Sequence, residues 1–235
     1  MKLKVYGSGS SGNSYALVDN EGNALILDAG INARLILKDI IPSKIMGVLV
    51  THEHKDHSGY IDEYRKMFCN ILLPDSMGGD VEDGKMFKLG SFSILALLMK
   101  HDVQCYGFAI MHPELNASVF YATDTNGIDY EFEELSLALI EANYMDDILQ
   151  KNVNDNIVDR YRAKRVRSTH NSINQAIDFA VNAVRRIEHI ILIHLSRDNA
   201  NSEVFKREME KASGIPTDIA TSGLEYKFLT RKGYE

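Results

Sequence analysis

The sequence has no apolar run long enough to cross a bilayer. Its longest runs, such as Ile94 to Met99 and Ile190 to Ile193, fall far short of the roughly 20 residues a spanning helix needs. The N-terminus, Met1-Lys2-Leu3-Lys4-Val5-Tyr6-Gly7, lacks the apolar stretch and small-residue cleavage site of a secretion signal. Cysteine is almost missing. Cys69 and Cys105 are the only two; they fit a reducing compartment in which both stay thiols, the alternative being one disulfide between them. Together these shortages predict a soluble, cytoplasmic protein with no membrane partner. Proline is scarce (4 residues), charges are mixed and no low-complexity stretch occurs, so disorder is not expected. An excess of positive charge is also lacking. The net charge of −7 argues against a protein that coats nucleic acid non-specifically, although it leaves room for a local basic groove.

The 235 residues, 45% hydrophobic and 25% charged, suffice for one substantial core or a two-sheet domain wrapped in helices. Short apolar segments separated by Gly/Ser/Asn turns predict a meander over Leu3–Tyr6, Ser14–Val18 and Ala24–Asp28. A short helix is expected over Ala33–Ile40, a strand over Ile45–Val50, a helix over Ser58–Phe68 and a short strand over Ile71–Leu73. Asp75 to Gly84 reads as a loop. Hairpins are expected from Phe87–Leu89 with Phe92–Met99, and from Tyr106–Met111 with Ser118–Tyr121. Leu137–Ala142 then reads as a strand, followed by a helical stretch from about Tyr144 and an amphipathic helix over Ile173–Ile187. Strand Ile190–Leu195, helix Ser202–Ala212 and a closing strand Leu224–Leu229 complete the pattern. No Pro/Ser linker divides the chain, so residues 1–235 are read as one domain. The alternation suits a four-layer αββα sandwich, an α/β fold, though periodicity alone supports only α/β with much antiparallel sheet.

Directly after the expected strand Ile45–Val50 comes Thr51-His52-Glu53-His54-Lys55-Asp56-His57-Ser58-Gly59. Three histidines and one aspartate fall within six residues here. Imidazole and carboxylate donors at one strand end suit zinc, manganese or iron, and one such turn can serve two neighbouring ions.

This HxHxDH pattern resembles that of the metallo-β-lactamase superfamily, and further strand ends match its other motifs in order. Asp28 closes Leu25-Ile26-Leu27, His101 follows Phe92–Met99, Asp124 lies in Tyr121-Ala122-Thr123-Asp124-Thr125, and His194 ends Ile190-Ile191-Leu192-Ile193. The resemblance spans about Ser8 to Asn199. It implies two divalent metal ions, Zn or Mn. One would be held by His52, His54 and His101, the other by Asp56, His57 and His194, with Asp124 bridging and Asp28 orienting a ligand without binding an ion. Two such ions lower the pKa of a bridging water, orient the resulting hydroxide and stabilise the leaving oxygen; Asp56 and Asp124 belong to that catalytic machinery. Aspartate at position 124, where zinc β-lactamases carry cysteine, turns the implied chemistry away from β-lactams.

Three further segments bear on the substrate. Gly7-Ser8-Gly9-Ser10-Ser11-Gly12-Asn13-Ser14 resembles the SGSSGNS opening of the YycJ/WalJ-like branch, relatives of RNase Z and RNase J. Its N–H groups and the side chains of Ser8, Ser10, Ser11 and Asn13 can form an anion-binding nest, and a tight hairpin turn is the alternative. His170-Asn171-Ser172 resembles the His-x-Ser of nuclease branches, with Asn171 in place of the usual Leu; there the His contacts the scissile phosphate or protonates the leaving oxygen, and Asn171 and Ser172 would touch substrate. The alternative is a helix N-cap beside an exposed His170. Arg160-Tyr161-Arg162-Ala163-Lys164-Arg165-Val166-Arg167 places five cations in eight residues. It is either a solvated face or a phosphate track carried by Arg162, Arg165 and Arg167. Ser196, in His194-Leu195-Ser196, is a further candidate contact. Tyr144 stands where the branch has the His of EANH.

These features predict a metal-dependent phosphodiesterase, most simply a DNA or RNA nuclease, with nucleic acid or another phosphodiester as partner. The competing readings are a glyoxalase II-like thioester or ester hydrolase and a non-catalytic metal-binding interaction protein.

Overall fold

Alternate residues of the early strands face two different environments. In β2 (Ser14–Val18) and β3 (Ala24–Leu27), Tyr15, Leu17, Leu25 and Leu27 point one way, and Ala16, Val18, Ala24 and Ile26 the other. All eight are buried, so these strands are covered on both faces, as the period-2 geometry of a strand requires in a layered fold. The computed structural model describes residues 1–68 and 70–228. Cys69 and Leu229, on which a thiol and the end of a strand were expected, lie outside the described residues.

Two sheets pack face to face. The first contains β1 (Lys2–Gly7), β2, β3, β4 (Ile45–Leu49), β5 (Ile71–Leu72) and β14 (Glu225–Lys227), in the order β14-β1-β2-β3-β4-β5. The second contains β6 (Met86–Leu89), β7 (Phe92–Met99), β8 (Cys105–Met111), β9 (Ser118–Ala122), β10 (Phe132–Glu141), β12 (Ile190–Ile193) and β13 (Thr217–Ile219), in the order β13-β12-β10-β9-β8-β7-β6. β11 (Val184–Ile187) also pairs with β10. Between the sheets lies a core that includes Tyr15, Phe92, Phe108 and Tyr121.

The helices occupy the outer faces. α1 (Ala33–Ile36) and α3 (Ile61–Met67) contribute Ala33, Ile36 and Tyr64 to the cluster outside the first sheet. α6 (Ile173–Asp178) and α7 (Ser202–Ser213) contribute Ile173, Ala176, Phe205 and Met209 outside the second. Helix, sheet, sheet and helix make the expected αββα sandwich. The four-residue α2 (Lys55–Ser58) carries the second half of the histidine cluster. α4 (Asp146–Asn154) and α5 (Arg160–Thr169) sit on a small cluster of their own, Tyr144, Leu149, Val158 and Ala163. Among the described residues, no helix is long and apolar enough to cross a membrane.

One expected helix is shorter in the structure. Ile173–Ile187 begins as α6, passes through a π-turn at Phe179–Ala183 and ends as β11. Strand β10 is ten residues long, and β12 covers only its Ala138–Glu141 end. The remaining backbone donors and acceptors at Phe132–Leu135 need partners, and Val184–Ile187 supplies them in parallel register. β13 was not expected from sequence; it extends the same parallel edge beside β12.

Candidate metal centre

Most strands that carry the expected ligands run parallel to a neighbour in their own sheet, and the ligands past their C-terminal ends converge on one rim. β3 and β4 are parallel in the first sheet, and β9, β10 and β12 in the second. Just past these ends the chain delivers Asp28, His52, His54, Asp124 and His194, with Asp56 and His57 following in α2. His101 follows β7 at the same rim. Three of these residues need unusual backbone: φ is 62° at Asp28, 48° at Asp124 and 54° at His194, and among the described non-glycine residues only Asn156 shares that region. Left-handed backbone costs a non-glycine residue of order 1–3 kcal/mol, and its concentration at one rim marks a place where side-chain direction matters more than local stability.

Three groups of potential ligands form there, one of them Asp124, Glu141, His170 and His194, and two are built from the expected ligands. His52, His54, His101 and Asp124 offer one atom each, all within 4.8 Å of one another, and Asp56, His57, Asp124 and His194 do the same. Asp124 belongs to both. Its Oδ2 lies 3.7 Å from Nε2 of His52, and its Oδ1 3.4 Å from Nε2 of His57 and 3.1 Å from Nδ1 of His194. Nε2 of His194 lies 3.2 Å from Oδ2 of Asp56. Nε2 of His52 is buried and has no hydrogen-bond partner. A buried orphan nitrogen is costly unless something else satisfies it. It points into a set of imidazole and carboxylate donors, so the residues fit a divalent cation pair.

Outer bonds aim these rings. Asp28 accepts from Nδ1 of His57 at 2.6 Å, from the Thr51 N–H at 2.8 Å and from the Tyr121 hydroxyl at 2.5 Å, which leaves Nε2 of His57 for the centre. His101 donates through Nδ1 to the Thr169 carbonyl at 2.9 Å, which turns its Nε2 toward His54, whose Nδ1 lies 3.2 Å away. The backbone around Asp56 is gripped closely. Its carbonyl accepts from the Asn13 N–H at 2.7 Å, and a Cβ on Gly30 would come within 1.8 Å of that same oxygen. Only glycine permits this approach.

Charge in the site follows from crowding. Burial opposes ionisation of Asp56, Asp124 and Glu141, yet the facing imidazoles outweigh it and hold all three below the usual carboxylate range. Burial likewise disfavours charge on His57 and His194. The carboxylates of Asp124, Asp28, Asp56 and Glu141 overcome it, raising His57 well above its ordinary value and His194 to about 10. His52 and His101 move the other way, pushed down by burial.

Glu141 is the residue that sequence reasoning passed over. It is fully buried at the end of β10. Its Oε1 lies 2.7 Å from Nδ1 of His170 and 2.9 Å from Nδ1 of His194, while Oε2 accepts from the N–H groups of Asn171 and Thr125. Burial works against a charged His170, but Glu141 and then Asp124 raise its pKa above the ordinary value. The available signal was a glutamate closing the apolar run Leu137 to Ile140.

Comparison with known proteins agrees with this architecture. A family model for the metallo-beta-lactamase superfamily matches residues 7–67. The YhfI metallo-beta-lactamase fold protein of Bacillus subtilis superposes with a TM-score of 0.72 at 19% identity, covering 96% of this chain and 99% of that one. The short form of human tRNase Z superposes at 0.65 and 15% identity, covering 97% and 100%. This chain has the metallo-β-lactamase fold. Among curated proteins, the anti-Pycsar protein Apyc1 of Saccharibacillus brassicae is 38% identical over 121 residues, 41% of this chain. The match spans half the length of that relative (50%). The family match and the superpositions give the fold, and the His/Asp groups at its rim fit a pair of divalent cations.

In this metallo-β-lactamase fold the centre opens into a cleft of about 630 Å³, lined among others by Ser10, Ser11, Arg162, Arg165, His170 and Ser196. Five residues expected at the substrate do not line it. Ser8 accepts from the His194 N–H at 2.9 Å and from the Tyr15 hydroxyl. Asn13 is buried, bonded to Gly9 and the Asp56 carbonyl, with Nδ2 3.0 Å from Nε2 of His57. Asn171 is buried against the backbone and carboxylate of Glu141. Ser172 caps α6 in a reciprocal box with Gln175. Arg167 turns away to Asp146 at 2.9 Å and to Gln150. Short polar side chains here satisfy backbone groups near the centre, so they serve its geometry. His170, by contrast, is mostly buried in the cleft wall rather than exposed beside the cap. Tyr144 is buried in the cluster beneath α4 and α5.

Proposed function

We propose that the protein is a metal-dependent phosphodiesterase of the YycJ/WalJ-like branch, acting on nucleic acid or a smaller phosphodiester. The observation that carries this reading is the Glu141–His170 pair, held at 2.7 Å in the wall of a cleft that Arg162 and Arg165 also line. Phosphodiester cleavage needs three things: an activated nucleophile, charge to stabilise the crowded phosphoryl oxygens and a proton for the departing alkoxide.

Two divalent ions, Zn or Mn, held by His52, His54 and His101 on one side and Asp56, His57 and His194 on the other, with Asp124 shared, would supply Lewis-acid charge and activate the attacking water. The chain's own residues do the rest. Asp28 fixes the His57 ring, and Ser8 fixes the backbone of His194. Glu141 accepts from Nδ1 of His170, so the Nε2–H faces away from the carboxylate and can protonate the leaving oxygen. Arg162 and Arg165 meet the anionic oxygens, and Ser10, Ser11 and Ser196 line the same cleft with hydroxyl donors. A neutral thioester would use neither arginine.

The test is hydrolysis of bis(p-nitrophenyl) phosphate and of labelled single- and double-stranded DNA and RNA by protein reconstituted with Zn²⁺ or Mn²⁺. Cleavage that disappears in Asp124→Ala and falls sharply in His170→Ala is the expected result. Turnover of acyl thioesters with no phosphodiester cleavage would overturn the reading.

A further inference from the structure

Helix α5 lines the cleft through Arg162, Arg165 and Val166, with little packing to hold it. Only Ala163 and Thr169 of its ten residues are buried, and the apolar cluster beneath it is four residues strong. Charges hold it instead: Arg167 pairs with Asp146 of α4, and Arg165 and Arg162 face aspartates in two of the loops that carry ligand residues. Asp102 directly follows His101, and its Oδ2 accepts from Nη2–H of Arg165 at 3.0 Å and from Nε–H at 3.2 Å. The other oxygen, Oδ1, lies 3.1 Å from Nε2 of His101 and 3.5 Å from Nε2 of His54. On the far side Asp198, in the loop after His194, faces Arg162 at a looser 3.9 Å.

We propose that Asp102 is a positioning residue for substrate recognition, fixing the Arg165 guanidinium beside the His52–His54–His101 group so that its free N–H groups meet an anionic phosphoryl oxygen. The proposal rests on the phosphodiesterase reading. A long side chain at an open cleft mouth samples many rotamers, and a substrate that must freeze them binds more weakly. Two N–H groups on one oxygen remove most of that freedom, and the remaining guanidinium N–H groups stay available. Arg165 in turn neutralises Asp102, whose bare carboxylate would repel the substrate. The looser Arg162–Asp198 contact leaves Arg162 free to follow different substrates.

The experiment uses zinc-reconstituted protein in wild-type, Asp102→Ala, Arg165→Ala, double-variant and Asp198→Ala forms, with three readouts: kinetics on bis(p-nitrophenyl) phosphate, inorganic phosphate affinity, and zinc affinity and stoichiometry by calorimetry. For Asp102→Ala the expected result is a KM rise of about fivefold, the upper range for an exposed ion pair, with kcat within about twofold. Phosphate affinity should weaken in parallel, and zinc binding should be unchanged. The double variant should be no worse than Arg165→Ala, and Asp198→Ala should move KM less than Asp102→Ala does. Lost zinc in Asp102→Ala, or effects of the two substitutions that multiply, would overturn the proposal, because Asp102 would then act on the cation or independently of Arg165. If the wild type binds phosphate but leaves the diester intact, the phosphodiesterase reading fails, and the positioning claim is still decided by phosphate affinity. Unchanged phosphate affinity in Asp102→Ala, or none in the wild type, overturns the positioning claim itself.

Discussion

The carboxylate of Glu141 lies 2.7 Å from Nδ1 of His170, and its own side chain is fully buried. A buried carboxylate beside an imidazole favours the protonated ring and fixes which nitrogen faces the cleft. Glu141→Gln keeps the shape and removes the charge. A general acid works while protonated, so activity falls as pH rises through its pKa. Removing the carboxylate lowers that pKa, and the alkaline limb of kcat should move to lower pH. The rate at its optimum should fall about 10²-fold, the lower range for lost acid catalysis. A pH–rate profile with parallel metal analysis checks this; an unmoved limb at full metal content would remove His170 from the acid role.

Facing carboxylates raise the pKa of His57 well above its ordinary value and that of His194 to about 10, which favours protonated rings in the metal-free protein. A ligating imidazole must be neutral. Cation uptake at pH 7 should therefore release about two protons per chain, and affinity should fall as the pH is lowered. Calorimetry in two buffers of different ionisation enthalpy counts the protons. Uptake without release would place the ions elsewhere.

Asp28→Asn preserves the packing of a buried residue while weakening its hold on Nδ1 of His57. Loss of such an outer contact typically costs 10- to 100-fold in metal affinity. The expected outcome is a loss of about that size at one of the two ions, with the other close to wild type. Titration with zinc followed by mass spectrometry of the intact protein separates the two cases.

Gly30→Ala tests the grip on the Asp56 backbone. The added carbon would meet the Asp56 carbonyl at 1.8 Å, so the loops must part. Overpacking of this kind costs about 1–3 kcal/mol. The urea midpoint should drop accordingly, and metal affinity should fall with it. A stable variant with normal metal binding would show that the approach is not needed.

Much of this site is legible in the sequence for a physical reason. Ligands that converge in space sit at the ends of apolar strands, and His52 to His57 concentrates four of them in one turn. Glu141 was not legible, because a glutamate after Leu135–Ile140 reads equally well as the solvated end of a strand. Ser8, Asn13, Asn171 and Ser172 lie off the cleft lining, a placement not legible locally because a short polar side chain can serve a ligand or a backbone group, and the choice lies in the tertiary contacts. Arg167 differs from Arg165 only by its angle around α5. Val184 and Ile187 are buried with two exposed arginines between them, a spacing a helix would also show. The uncovered edge of β10 decides for a strand, and that edge is invisible locally.

Both groups of expected ligands draw on both sheets. His52, His54, Asp56 and His57 follow β4 of the first, whereas His101, Asp124 and His194 follow strands of the second. The Tyr121 hydroxyl on Asp28 spans the same gap without a cation. Bound ions would therefore act as rivets, and the centre would work as a vernier for how the two halves of the sandwich are aligned. A slip of the sheets by even half a residue would split both ligand sets at once, so cation occupancy would report assembly of the whole fold before it reported anything about a substrate.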